Sequence, residues 1–85
     1  MENINKFAVC EKTSRQLEEV AEALKAGIVK PLDEDVALIH QAFNDETGWA
    51  FAEKYSQMVG ETTKLCDEIL FLQKTISDTA KIEND

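Results

Sequence analysis

Residues 49–81 determine the class of the fold, and they read WAFAEKYSQMVGETTKLCDEILFLQKTISDTAK. Their apolar stripe steps by 4, 3, 4, 3, 4, 3 and 4 positions and has one polar member. Its members are Phe51, Tyr55, Met58, Thr62, Leu65, Ile69, Leu72 and Ile76. A repeat of about 3.5 residues winds one helix onto a neighbour. The pattern therefore predicts a helix roughly 50 Å long that packs on another helix, with Asp45 or Thr47 as its N-cap.

The sequence upstream of this stripe predicts a second, interrupted helical arm. Its apolar residues are Cys10, Thr13, Leu17, Val20 and Leu24, followed after a gap by Leu32, Val36, Ile39 and Phe43. Gly27 and Pro31 fall in the gap, and a proline inside a helix removes a hydrogen bond and clashes one turn back. We therefore expect a kink or a break near residues 27–32, with Asp33 as a cap for the helix that follows.

The two arms predict an all-α fold, an antiparallel helical hairpin that forms a single domain over residues 1–85. The first arm covers residues 3–43 and the second about 49–82. The competing layout is one continuous helix over residues 33–80, because a single glycine such as Gly48 costs a helix only about 1 kcal/mol. One hairpin leaves part of each apolar stripe facing water. We therefore expect a partner hairpin to complete a four-helix-type bundle.

Composition and charge narrow the functional classes. Nine Lys and Arg against seventeen Asp and Glu give a formal charge of −8 at pH 7, which disfavours binding to nucleic acid or to an anionic membrane. The apolar runs are far shorter than the ~18–20 residues that span a bilayer, and the N-terminus lacks the pattern of a cleaved signal. We expect no membrane insertion and a cytoplasmic location. Cys10 and Cys66 are expected to be buried free thiols, although a bridge between the helices is geometrically possible.

The sequence offers no constellation for catalysis, for a cofactor or for a metal ion. His40 is the only histidine and has no cysteine close by. We therefore expect it to lie at the polar edge of a helix or to cap a helix end, and not to bind a metal ion. The carboxylates occur in short runs typical of solvated helix faces, and no Glu-x-x-His pair marks a di-iron bundle. The serines and cysteines lack a neighbouring base that could activate them as nucleophiles. We therefore expect a binding protein and not an enzyme.

Aromatic residues cluster where the chain is predicted to bend. Trp49, the only tryptophan, follows Gly48 directly. A large aromatic side chain at this place either closes the end of the hairpin or serves as a docking anchor, and the two roles are compatible. The candidate partner-binding residues are Trp49, Phe51, Tyr55, Met58, Leu65, Ile69 and Leu72.

The layout of the chain also carries a family resemblance. The run Gly48-Trp49-Ala50-Phe51-Ala52-Glu53-Lys54-Tyr55, followed by a heptad-patterned acidic helix, resembles the WXG (early secreted antigenic target-like) proteins of type VII secretion. Here glycine precedes the tryptophan and phenylalanine stands where that family has glycine, and the family's export motif after the second helix is absent. The chain is therefore more similar to the small helical partners that accompany LXG toxins in Gram-positive bacteria.

The resemblance implies a function without turnover. Such partners bind the helical N-terminal domain of the toxin and help to target it to the secretion machinery. The chain is then expected to be a targeting factor or chaperone that pairs with an LXG-type toxin, or with itself. The expected location is the cytoplasm. The resemblance adds a second option, in which the chain is secreted together with its partner through the type VII system. The alternative is an acidic antitoxin, immunity or inhibitor protein that blocks a basic partner surface.

Overall fold

The computed structural model describes residues 5–84, and the side chains among them as far as Ile82. Its segments, in chain order, are α1 (Lys6–Leu24), a π-helical turn (Lys25–Val29), α2 (Lys30–Ala42) and α3 (Glu46–Asn84). The first three segments form one arm, α3 forms the other, and the molecule measures 63 × 19 × 17 Å. The prediction of an all-α, hairpin-like fold is therefore confirmed for the described residues. The predicted start of the first arm at residue 3 lies outside them.

A short non-helical turn separates the two arms. The first arm ends at Phe43, whose backbone leaves the helical region with φ −128° and ψ 88°. Asp45 then caps α3, because its Oδ1 accepts a hydrogen bond from the Gly48 N–H at 3.1 Å. The prediction of a cap at Asp45 is confirmed, and the continuous helix over residues 33–80 is wrong. The predicted cap at Asp33 is also wrong, since this residue lies inside α2, whose start has no side-chain cap.

The turn is tight because Gly48 carries no side chain. Gly48 is buried, and a Cβ built on it would overlap the carbonyl oxygen and the Cβ of Phe43. The end of the first arm can therefore lie directly against the first turn of α3. The Phe43 ring then meets the Phe51 ring edge to face, with 6.2 Å between the ring centroids and an interplanar angle of 85°. This geometry is favourable for an aromatic pair and helps to hold the turn.

The predicted joint near residues 27–32 is a π-turn and not a break. The Lys30 N–H donates to the carbonyl of Lys25, five residues back, and the backbone stays helical throughout the first arm. Pro31 has no N–H, and its ring would crowd the carbonyl of Gly27 in a regular α-helix. A π-turn is wider than an α-turn and accommodates one extra residue. The proline is therefore absorbed without interrupting the helix.

A row of mostly small residues forms the contact between the two arms. We call this row the hairpin seam, and it consists of Ser14, Ala21, Ala52, Cys66, Gln73 and Ala80, all buried except the partly exposed Gln73. Two contacts fix the register. Gln73 Nε2 donates to Ser14 Oγ at 2.9 Å, and the Cys66 Sγ lies 3.7 Å from the Ala21 carbonyl oxygen. The two pairs are seven residues apart on each arm, so the arms run antiparallel in constant register.

The heptad stripe predicted for α3 lies beside the hairpin seam and not within it. Four of its members occur one residue before positions 52, 59, 66 and 73, which recur every seven residues along α3, and these four are 43–49% exposed: Phe51, Met58, Leu65 and Leu72. The other four are half-buried at the flank of the seam. Small side chains let two helix backbones approach closely, which leaves no room between them for large ones. The stripe therefore flanks the contact between the arms, and part of it faces water.

Candidate partner-binding face

The apolar stripes of the two arms point to the same side of the hairpin. Successive residues of an α-helix are about 100° apart, so a residue three places after a seam position lies about 60° to one side of it. Two antiparallel helices are related by an approximate two-fold axis perpendicular to the plane that contains them. Because of this axis, residues of the two arms that have the same sequence offset from a seam position lie on the same side of the hairpin. Residues three places after, or one place before, a seam position therefore share one face of the hairpin.

We call this side of the molecule the apolar face. From α1 it includes Thr13, Leu17, Val20 and Leu24, and from α3 it includes Phe51, Tyr55, Met58, Thr62, Leu65, Ile69, Leu72 and Ile76. The residues one place after each seam position, or after Val59 at the same heptad position, lie on the opposite side. They are Arg15, Glu22, Glu53, Gly60, Asp67, Lys74 and Lys81, all exposed and all charged except Gly60. The hairpin therefore has one apolar face and one charged face.

The apolar face is left uncovered by the hairpin itself. Val20 is 47% exposed on α1, and Leu65 and Leu72 are 46% and 49% exposed on α3. Side chains of this size normally lose most of their accessible surface in a folded domain. Exposed apolar surface of this kind is uncommon on a folded domain, so this face is a candidate interaction site.

Trp49 lies on a different side of α3 from the other candidate partner-binding residues. It is 56% exposed, and it stands two residues before Phe51, so the two side chains project about 160° apart around the helix. Phe51, Tyr55, Met58, Leu65, Ile69 and Leu72 share the apolar face. The structure thus brings six of the seven predicted residues together and separates Trp49 from them.

A shallow groove crosses the apolar face near the turn, between α2 and α3. It is lined by Asp35, Leu38, Ile39, Ala42 and Tyr55. Leu38 is 60% exposed, and Asp35 is the one charged side chain in the lining. Leu38 and Asp35 were not among the predicted site residues. Leu38 immediately precedes a member of the predicted α2 stripe, and its apolar character was the only signal that could have indicated it.

The remaining polar and reactive groups form no catalytic arrangement within the described part of the chain. His40 is exposed in the last turn of α2. Cys66 is buried as predicted, Cys10 is only half-buried, and both are free thiols. Across residues 5–84, no three His, Cys, Asp or Glu side chains are grouped so that they could hold a metal ion. None of the helices over the same residues has the length and apolar character needed to cross a membrane.

Comparison of the chain with known protein families, with curated proteins and with solved structures finds no match.

Proposed function

We propose that this chain is a non-enzymatic binding protein that docks on a helical partner through the apolar face. The observation that carries the proposal is the row formed by Phe51, Met58, Leu65 and Leu72. These residues recur every seven positions and are 43–49% exposed. A heptad row of large apolar side chains on the outside of a helix is the pattern that receives another helix. A partner helix or hairpin laid on this row would complete a bundle of the four-helix type.

The amount of exposed surface supports the same proposal. The chain exposes 6675 Å², whereas a compact monomer of 9.6 kDa exposes about 5,100 Å². Its radius of gyration is 18.9 Å, against about 12 Å for a compact domain of this length. A standard interface removes about 800 Å² from each partner. The hairpin therefore has enough surplus surface for one interface of ordinary size.

We further propose that the partner is the helical N-terminal domain of an LXG-type toxin, and that the chain serves type VII secretion as its targeting factor or chaperone. The support for this part is the resemblance of the sequence around the turn to the WXG-like proteins. Gly48 and Trp49 occur in the first turn of the second helix of a two-arm hairpin, so the run that carries the resemblance opens that helix.

Co-expression with a candidate toxin domain tests the proposal. We expect a stable complex by size-exclusion chromatography with light scattering, and we expect Leu65→Asp to abolish it. This substitution places a carboxylate in the middle of the apolar face, where a partner would bury it without a counter-charge. Because Leu65 is 46% exposed in the hairpin, the isolated variant should keep most of its helicity by circular dichroism.

Thr63→Asp is the matched control. It adds the same charge at an exposed position three residues before Cys66, on the side of α3 away from the apolar face. The control should bind like the wild type. A complex that survives Leu65→Asp would contradict the proposal. Binding that survives this change but weakens steeply with added salt would instead favour the acidic inhibitor.

A further inference from the structure

The negative charge of the chain is concentrated at one end of the hairpin. We call residues 31–53, which include the turn, most of α2 and the start of α3, the turn end. It contains none of the nine Lys and Arg and six of the seventeen carboxylates, so it carries −6 of the total −8. Its carboxylates are Asp33, Glu34, Asp35, Asp45, Glu46 and Glu53. The one ion pair among the described residues, Arg15 with Glu11, lies elsewhere.

The groove on the apolar face lies at the border of this acidic end, since four of its five lining residues fall within residues 31–53 and Tyr55 follows just beyond them. Leu38, Ile39, Ala42 and the Tyr55 side chain give it an apolar lining, and the half-buried residue Asp35 is the charged member of the lining. Glu34 is exposed beside it on α2. An apolar lining with a carboxylate at its edge matches the chemistry of a lysine or arginine side chain. The aliphatic stem of such a side chain packs on apolar surface while its charged head reaches the carboxylate.

We propose that the segment occupying the apolar face belongs to a different protein and carries Lys or Arg where it crosses the groove between α2 and α3. This inference rests on the proposed function and specifies the chemistry of the partner. The apolar residues of the partner would cover the heptad row of α3. Its basic residues would neutralise the turn end, which also increases the rate of association.

A second copy of the chain does not fit the turn end. In a parallel face-to-face dimer, the two acidic turn ends would meet and repel each other. In an antiparallel dimer, each turn end would meet residues outside 31–53, and these carry nine Lys and Arg against eleven Asp and Glu. Neither arrangement supplies the positive charge that the turn end lacks. Charge complementarity therefore favours a basic partner of another sequence.

Two synthetic amphipathic helices provide the test. They share one Leu and Ile stripe and differ only in carrying Lys or Glu at the flanking positions. We expect the Lys peptide to bind about thirty-fold more tightly, measured by fluorescence anisotropy of the labelled peptide at low salt. It should shift the backbone amide resonances of Asp35, Leu38 and Tyr55. Asp35→Asn should weaken its binding about three-fold, and Asp67→Asn, an exposed carboxylate on the charged face, should leave binding unchanged.

Equal binding of the two peptides to the apolar face would overturn this inference while leaving the proposed function intact. Equal effects of Asp35→Asn and Asp67→Asn would overturn it as well. If neither peptide binds, the inference fails, and the toxin-domain complex with its Leu65→Asp variant decides the proposed function separately. A wild-type dimer with its contact on the apolar face would show that the occupant is a second copy.

Discussion

Cys66 is the most completely buried side chain among the described residues of the hairpin. Its relative exposure is 0%, and its Sγ lies 3.7 Å from the Ala21 carbonyl oxygen on the facing arm. Sulfur fills this space as a small apolar group. The distance between the arms at this point is therefore set by the size of residue 66.

We predict that Cys66→Leu destabilises the hairpin by about 1–3 kcal/mol, because the larger side chain forces the two arms apart. Thermal unfolding followed by circular dichroism measures the effect. Lys64→Leu is the control, since it introduces the same side chain two residues away on the exposed surface, where changes stay within about 0.5 kcal/mol. Equal melting temperatures for the two variants would show that the seam is looser than described.

At the scale of the helix, α3 contains two glycines with opposite roles. Gly60 is exposed, and a Cβ added to it would have no atom within 4 Å. Gly48 is buried against the backbone of Phe43, where a Cβ does not fit. One glycine therefore weakens the helix, and the other makes the turn possible.

We predict that Gly60→Ala stabilises the hairpin by about 0.5–1 kcal/mol, because alanine loses less backbone entropy on folding. We predict that Gly48→Ala costs more than about 2 kcal/mol, since Phe43 has to move away. Chemical denaturation of the two variants compares them directly. A Gly48→Ala variant as stable as Gly60→Ala would contradict the turn geometry.

The elements themselves were predictable from the sequence, whereas their contact surface was not. Apolar periodicity indicates helices and ranks Leu65 above Cys66 as a core residue, because it weighs hydropathy and not size. Two closely packed helices select small side chains instead, and that selection acts only once the arms meet. For the same reason, the candidate partner-binding face was only partly predictable. The heptad row of α3 was visible in the sequence, but its exposure and its groove with α2 depend on how the arms pack.

The joint at Pro31 shows the same division between sequence and structure. The sequence locates the irregularity, since proline excludes a regular α-turn before it. Whether the chain breaks or widens into a π-turn depends on tertiary packing, because both solutions remove the clash. Packing of the first arm along α3 favours the widened turn, which keeps the arm helical.

At the scale of the whole molecule, the hairpin is a thin rod with a core of small side chains. Alanine, serine and cysteine bury little apolar area, and each buried CH₂ group contributes only about 0.8 kcal/mol. We therefore expect a small free energy of unfolding for the isolated chain. A partner that binds the folded hairpin at the apolar face would increase this free energy by mass action.

The pairing of Ser14 with Gln73 has a consequence for the order in which the hairpin assembles. These residues are 59 positions apart along the chain, whereas Phe43 and Phe51 are only eight apart. Joining distant residues directly loses more chain entropy than joining near ones. We therefore expect the two arms to pair first next to the turn and then progressively toward their far ends. Opening follows the reverse path. We expect amide hydrogen exchange to be faster near Ser14 and Ala80 than near Ala52, and uniform exchange along α3 would contradict this order.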